Sequence, residues 1–199
     1  MTRHDAPNQA RRRFFTAAAK ICAEKGYTAT RMEDIALEAG RSKGALYHHF
    51  PTKKALFVEL VHDIVDEFST QIDEGMLQGA SARELILSSF VALMEAFGGM
   101  DLFRVFVEIM PLAARDPELR GPLLRYYQQA IDAMAALLAH GQRSGELRPD
   151  FDCGKTAKML AFSGDGILLI ATALGDTVTA GELGRELFLR VFDGLTATR

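Results

Sequence analysis

An all-α fold is predicted, and three observations carry it. Apolar residues recur at helical rather than alternating spacing along almost the whole chain, no run between turn signals reads as a strand, and Ser/Thr/Asp caps alternate with Gly/Pro breakers at helix-length intervals. With 199 residues, 48% of them hydrophobic, the chain has enough apolar material for a core that needs neither metal nor disulfide. About nine helices are expected, the first three forming a small N-terminal unit with a helix-turn-helix.

The first helix is predicted over about 8–25, with Phe14, Ala17, Ala18 and Ile21 on one face and Gly26 ending it. Thr30 opens a short second helix through a Thr30-x-x-Glu33 capping box, with Met32, Ile35, Ala36 and Ala39 on its apolar side and Gly40 as its stop. A tight turn leads to Ser42, the cap of a third helix. On that helix Leu46 and Phe50 share a buried face, while Lys43 and Tyr47 share another. Pro51 ends it, and Thr52 caps a long fourth helix bearing Leu56, Leu60, Ile64 and Phe68.

Further helices are predicted at about 81–97 (Ser81 cap, Glu84), 101–113, 117–141 (Asp116 cap, Pro117 at the first helical position), 152–174 and 180–197. Gly98-Gly99, Pro111, Asp116-Pro117 and the stretch from Gly145 to Asp150 separate them.

The net charge of −3 conceals an asymmetry: residues 1–60 carry eleven Lys and Arg against six Asp and Glu, so the remainder is strongly acidic. A basic head on an acidic body concentrates phosphate attraction at one end. Two short helices joined by a Gly-containing turn form the unit that lays its second helix in a DNA major groove. The residues of that second helix suit the task. Ser42 and the free amides at the helix start favour phosphate, Lys43 reaches phosphate or guanine acceptors, and Gly44 allows close backbone approach. Tyr47, His48 and His49 add hydroxyl and imidazole donors, and Lys53 adds charge at the next helix. The bland alternatives are a core-edge Tyr47 and a His pair that caps the helix or lies in solvent.

The string Gly26-Tyr27-x-x-Thr30-x-Met32-x-Asp34-Ile35-Ala36-x-Glu38-Ala39-Gly40-x-Ser42-Lys43-Gly44-x-Leu46-Tyr47-x-His49-Phe50-x-x-Lys53 closely resembles the DNA-binding domain of TetR-family repressors, over about 10–60. That resemblance implies a homodimeric repressor acting on double-stranded DNA at a palindromic operator, with a head at 1–52 and a helical effector-binding and dimerisation domain at 53–199. Position by position, Thr30, Arg31, Ser42, Lys43, Gly44, Tyr47, His48, His49 and Lys53 match places that contact DNA in such proteins. Arg41 departs from the family pattern, which often has a small apolar residue there; it is either a further contact or a solvated turn residue.

In the acidic body, the last two predicted helices have wide apolar faces: Leu160, Ala161, Ile167, Leu168 and Ala171 on one, Leu183, Leu187, Phe188, Val191 and Phe192 on the other. The resemblance implies that they pair with their copies in a dimer; an intrachain core is the alternative. Met94, Phe97, Phe103, Phe106, Met110, Tyr126, Tyr127, Met134, Met159 and Phe162 are large flexible or aromatic side chains, each of which singly reads as core. The resemblance turns them into the expected lining of a pocket for an unidentified small molecule. Arg104 and Glu108 are spaced to pair, as a surface pair, and Asp165 lies in the apolar FSGDGILLI at either the pocket or the interface.

No nucleophile elbow, phosphate loop, HExxH or paired-cysteine pattern occurs, so no catalytic residue, cofactor or metal is assigned. Glu59, His62, Asp63 and Asp66 fall at helical spacing, which reads as a charged solvent face rather than a metal site. Cys22 and Cys153 are far apart and sit in apolar contexts; with no signal-like or membrane-length apolar run, a cytoplasmic protein is expected.

Overall fold

The computed structural model of the protein describes residues 5–88 and 101–197. Among them are nine helical segments and no strand: α1 (Asp5–Ala29), α2 (Met32–Glu38), α3 (Lys43–His49), α4 (Lys53–Leu77), α5 (82–88), α6 (Asp101–Ala113), α7 (Pro117–Ser144), α8 (Cys153–Leu174) and α9 (Thr177–Leu195). The sequence's caps account for four of the starts. Ser42 Oγ accepts from the Ala45 amide at 3.1 Å and Thr52 Oγ1 from the Ala55 amide at 3.0 Å. Ser81 and Glu84 close a reciprocal capping box, with bonds of 3.0 and 3.1 Å, and Asp116 accepts from the Glu118 amide at 3.0 Å.

Two local expectations are corrected. Gly26 does not end α1; it kinks it, at φ 79°, and one more turn follows to Ala29. The Thr30 capping box does not form. Arg31 is the N-cap of α2 and, with donors only, makes no side-chain cap bond; the Thr30 hydroxyl turns back to donate to the Gly26 carbonyl at 2.7 Å and Glu33 pairs with Lys43. Pro111, read as a breaker, stands inside α6 in its last turn.

The chain divides into two compact units: Met1–Asp63 with Gly98–Leu124, and Ile64–Phe97 with Arg125–Arg199. In the first, buried Phe14, Phe15, Ala18, Ile21 and Cys22 of α1 pack with Ile35, Leu46, Phe50, Leu56 and Phe57 from the next three helices, and Val105 and Ile109 of α6 complete the core. Burying this apolar surface is what holds two seven-residue helices, too short to persist alone. In the second unit Ile72, Leu85, Ile86, Ile131, Leu137, Leu138, Leu147, Leu160, Phe192 and Leu195 form one continuous cluster. The 145–152 connection is pinned by Gln142, whose Nε2 donates to the Arg148 and Phe151 carbonyls, and by an isolated antiparallel bridge between Leu147 and Thr196.

Cys22 is fully buried and burial pushes its thiol up to about 12; Cys153 is half-buried, also raised, and donates to Gln142 Oε1 at 3.3 Å. Both are free thiols in unreactive surroundings. No described helix is long and apolar enough to cross a membrane.

Candidate nucleic-acid interface

The turn between α2 and α3 is closed by the Arg41 amide donating to the Ala36 carbonyl and the Gly40 amide to the Leu37 carbonyl, each at 3.0 Å. This is a helix-ending motif that requires a left-handed residue, and Gly40 supplies it at φ 62°. The turn throws α3 across α2, with Leu46 and Phe50 driven into the core and the opposite side left in solvent. Arg31, Arg41, Ser42, Lys43, Gly44, Tyr47 and His48 are all exposed. They form a polar, mostly basic surface around the first turn of α3, and Ser42's capping bond leaves the remaining amides of that turn facing outward.

Within this surface Lys43 has two neighbours. Its ammonium pairs with Glu33 of α2, which raises the lysine's pKa and lowers the carboxylate's, and it stands 5.6 Å over the Tyr47 ring. His49 is different from His48. It is half-buried, 5.7 Å from the Phe14 ring and 6.1 Å from Phe50, and burial holds its imidazole below the usual histidine range. His49 is thus a neutral packing residue at pH 7, with at most one N–H to offer.

Two further residues expected at DNA have their polar ends turned into the protein. Thr30 is 2% exposed and its hydroxyl serves the Gly26 carbonyl. Lys53 directs its ammonium at the end of α1, donating to the carbonyls of Tyr27, Thr28 and Thr30 at 2.6, 3.2 and 2.9 Å and lying 4.4 Å over the Tyr27 ring. Desolvation there lowers its pKa. A lysine so placed caps the last turn of α1, where carbonyls lack intrahelical donors.

The same peptide segment is held from its other side. The Tyr27 amide donates to the Glu108 carboxylate of α6. The positive φ at position 26 favours glycine, and a Cβ there would stand a tight 3.2 Å from the Glu108 carboxylate. The side chain of Arg104, expected to pair with Glu108, lies outside the described residues, and Glu108 serves the α1 backbone. The two residues it joins are 81 apart, and no local pattern signals the contact. Arg11 adds a second brace, bonded to Glu59 of α4 at 2.6 Å and stacked near the rings of Phe15 and Phe50. Lys54 adds a third, reaching Asp116 at 2.6 Å and Glu118 at 2.7 Å.

A short helix packed by one side, preceded by a tight turn and presenting Ser-Lys-Gly and Tyr-His outward, is a DNA-reading helix-turn-helix. Comparison with known proteins agrees. Residues 14–60 match the family described as bacterial regulatory proteins, tetR family, and residues 80–196 match the BetI-type transcriptional repressor C-terminal family. The chain belongs to the TetR family of transcriptional regulators. It is 29% identical over 177 residues to the regulator UidR of Escherichia coli K12, covering 88% of this chain and 85% of UidR. Among solved structures, a transcriptional regulator from Saccharomonospora viridis in complex with choline superposes with a TM-score of 0.74 at 25% identity, covering 96% of this chain and all of that one. Salmonella enterica GusR superposes at 0.70 and 26% identity, covering 97% and 98%.

In this TetR-family regulator the residues expected to line an effector pocket fall into several groups. Met94 and Phe97 lie outside the described residues, and the side chains of Phe103 and Phe106 are likewise not described. Met110 belongs to the first unit, half-buried. In the second unit Met134 is part of the core cluster, Tyr126 and Tyr127 are half-buried, and Met159 and Phe162 are exposed. Tyr127, Phe162 and Asp165 are brought together: the Tyr127 hydroxyl donates to Asp165, and its ring stacks on Phe162. Leu169, Ile170 and Leu174 of α8 and Leu183 of α9 are large, apolar and exposed. Of the four acidic and imidazole residues spaced along α4, Glu59 is taken by Arg11, and Asp66 accepts from Gln129 at 2.9 Å. No three His, Cys, Asp or Glu side chains gather as a metal site among the described residues.

Proposed function

We propose that this regulator is a homodimeric repressor that binds a palindromic operator through α3 and is released by a small-molecule effector. The observation that carries the reading is the exposed polar surface of α3 against its buried Leu46 and Phe50. In this reading Arg41, Ser42, Lys43 and the Gly44 backbone approach phosphates and base edges at the entry to the major groove, Tyr47 and His48 lie deeper along it, and Arg31 supports from the start of α2. His49 keeps a packing role with one N–H toward the DNA side. Thr30 and Lys53 shape the head from inside.

The domains follow from the same reading. Residues 1–52 read DNA, and 53–199 bind effector and pair the chains, working in the cytoplasm. Pairing through α8 and α9 is supported by the exposed Leu169, Ile170, Leu174 and Leu183, which a second copy would cover. The effector reading is supported by the relative that holds choline. Effector binding favours a dimer state whose two α3 helices no longer match successive major grooves roughly 34 Å apart.

Selection of bound fragments from random duplex DNA by the purified protein tests this, followed by affinity against salt on the enriched site. An inverted repeat with a steep salt slope supports the reading. A folded protein that enriches no sequence refutes it.

A further inference from the structure

The second unit contains a carboxylate in unusual surroundings. Asp165 on α8 is half-buried, accepts the Tyr127 hydroxyl of α7, and burial pushes its carboxyl up to about 7. Three residues earlier on α8, Phe162 stacks on the Tyr127 ring with centroids 6.0 Å apart and planes 22° from parallel. Phe162 nonetheless remains 60% exposed, so the ring side away from Tyr127 is open. Met159, a further three residues back, is exposed too, and the i, i+3 spacing puts all three on one line of the helix.

These groups favour one ligand class. A desolvated carboxylate is stabilised by a positive charge brought against it, and an open aromatic face attracts cations, most strongly away from water. Among the described residues no lysine or arginine is bonded to Asp165; its one hydrogen bond there is from the Tyr127 hydroxyl. A metal ion is a poor fit for a lone carboxylate, and no further His, Cys, Asp or Glu side chains gather with it among the described residues. An anion would meet the carboxylate, and a purely apolar ligand would leave it uncompensated.

We infer that Asp165, Tyr127 and Phe162 form a recognition site for a small organic cation, an ammonium bearing alkyl groups. The charge lies against the Asp165 carboxylate, the alkyl groups rest on the open face of Phe162 and on Met159, and the Tyr127 hydroxyl fixes the carboxylate's orientation. The inference rests on the reading that residues 53–199 hold the effector, and gives that effector its chemical class.

Calorimetric titration of the full chain, without DNA, with tetraethylammonium chloride against sodium chloride at equal ionic strength tests it. Saturable binding is expected for the wild type. Asp165→Asn, which keeps size and an acceptor for Tyr127, and Phe162→Leu, which keeps apolar volume but removes the ring, should each weaken it by about tenfold or more while helical circular dichroism is unchanged. No saturable heat beyond the sodium control overturns the inference, as do variants that bind like the wild type. Phe162→Leu altering only the sedimentation of the chain, with cation affinity intact, overturns it as well and gives that ring to chain pairing. A cation that binds but leaves operator affinity unchanged refutes the effector reading alone. A ligand that releases the operator and binds Asp165→Asn like the wild type refutes this inference alone.

Discussion

Replacing Lys53 by Met separates two jobs that its place in the chain allows, contact with phosphate and capping of α1. Methionine keeps the length and apolar stem and removes the ammonium. In the structure that ammonium donates to three carbonyls. The bond to Thr28 is exposed, so water replaces it; those to Tyr27 and Thr30 are part-buried, and each carbonyl left without a donor costs about 1–3 kcal/mol. The lysine's own desolvation, seen in its lowered pKa, is recovered on substitution and offsets part of this loss. A net loss of about 2–3 kcal/mol results, which for a chain of this size lowers Tm by about 5–10 °C. Thermal unfolding by circular dichroism at fixed protein concentration measures it, with operator affinity recorded against salt on the same samples. A loss below about 0.5 kcal/mol, the range of ordinary surface substitutions, refutes the capping argument. If the salt slope then also falls by about one, the ammonium belongs on a phosphate.

Other outcomes follow from the same geometry. Gly26→Ala puts a side chain at φ 79° and 3.2 Å from the Glu108 carboxylate, and should cost about 1–3 kcal/mol in chemical denaturation; a neutral result would mean that the kink is not held as described. Glu33→Gln frees Lys43 from its carboxylate partner and removes a negative charge beside the expected phosphate path, so affinity for duplex DNA should rise a few-fold at low salt, and a fall in fluorescence anisotropy titrations would contradict the placement of α3. Asp165 has a pKa raised to about 7 in the folded chain from 3.8, so the folded state holds its proton more tightly than the unfolded chain, and stability from this group is fully present below pH 3.8 and is lost as pH rises to about 7. Asp165→Asn should therefore unfold at higher denaturant than the wild type by up to about 4 kcal/mol at pH 8, with the difference shrinking toward pH 4; a difference that does not change with pH would show that the carboxyl is not desolvated.

Much of the fold and of the exposed surface of α3 was legible in the chain because the signals are local. Caps such as Ser42, Thr52 and Ser81 with Glu84 act within three residues of themselves, and the helical period of Leu46 and Phe50 fixes which side of α3 is left exposed. Gly40 marked its turn for the same reason, since the left-handed backbone there excludes most other residues. Where other partners stood within reach, the capping spacing misled. Thr30 and Glu33 had capping-box spacing, yet the hydroxyl found the Gly26 carbonyl and the carboxylate found Lys43 on the next helix.

Sequence alone determined that this chain is helical, where its recognition helix lies and which of that helix's residues face outward, because backbone propensity, capping and period are properties of neighbouring residues. Tertiary structure alone decided that Lys53 caps α1, that Glu108 takes the Tyr27 amide, that His49 is packed and neutral while His48 is exposed, and that Asp165 meets the Tyr127 hydroxyl beside Phe162. Each of these depends on which helix faces which across dozens of residues. Burial and partner choice are set by packing against distant segments, whose positions no window of the sequence contains.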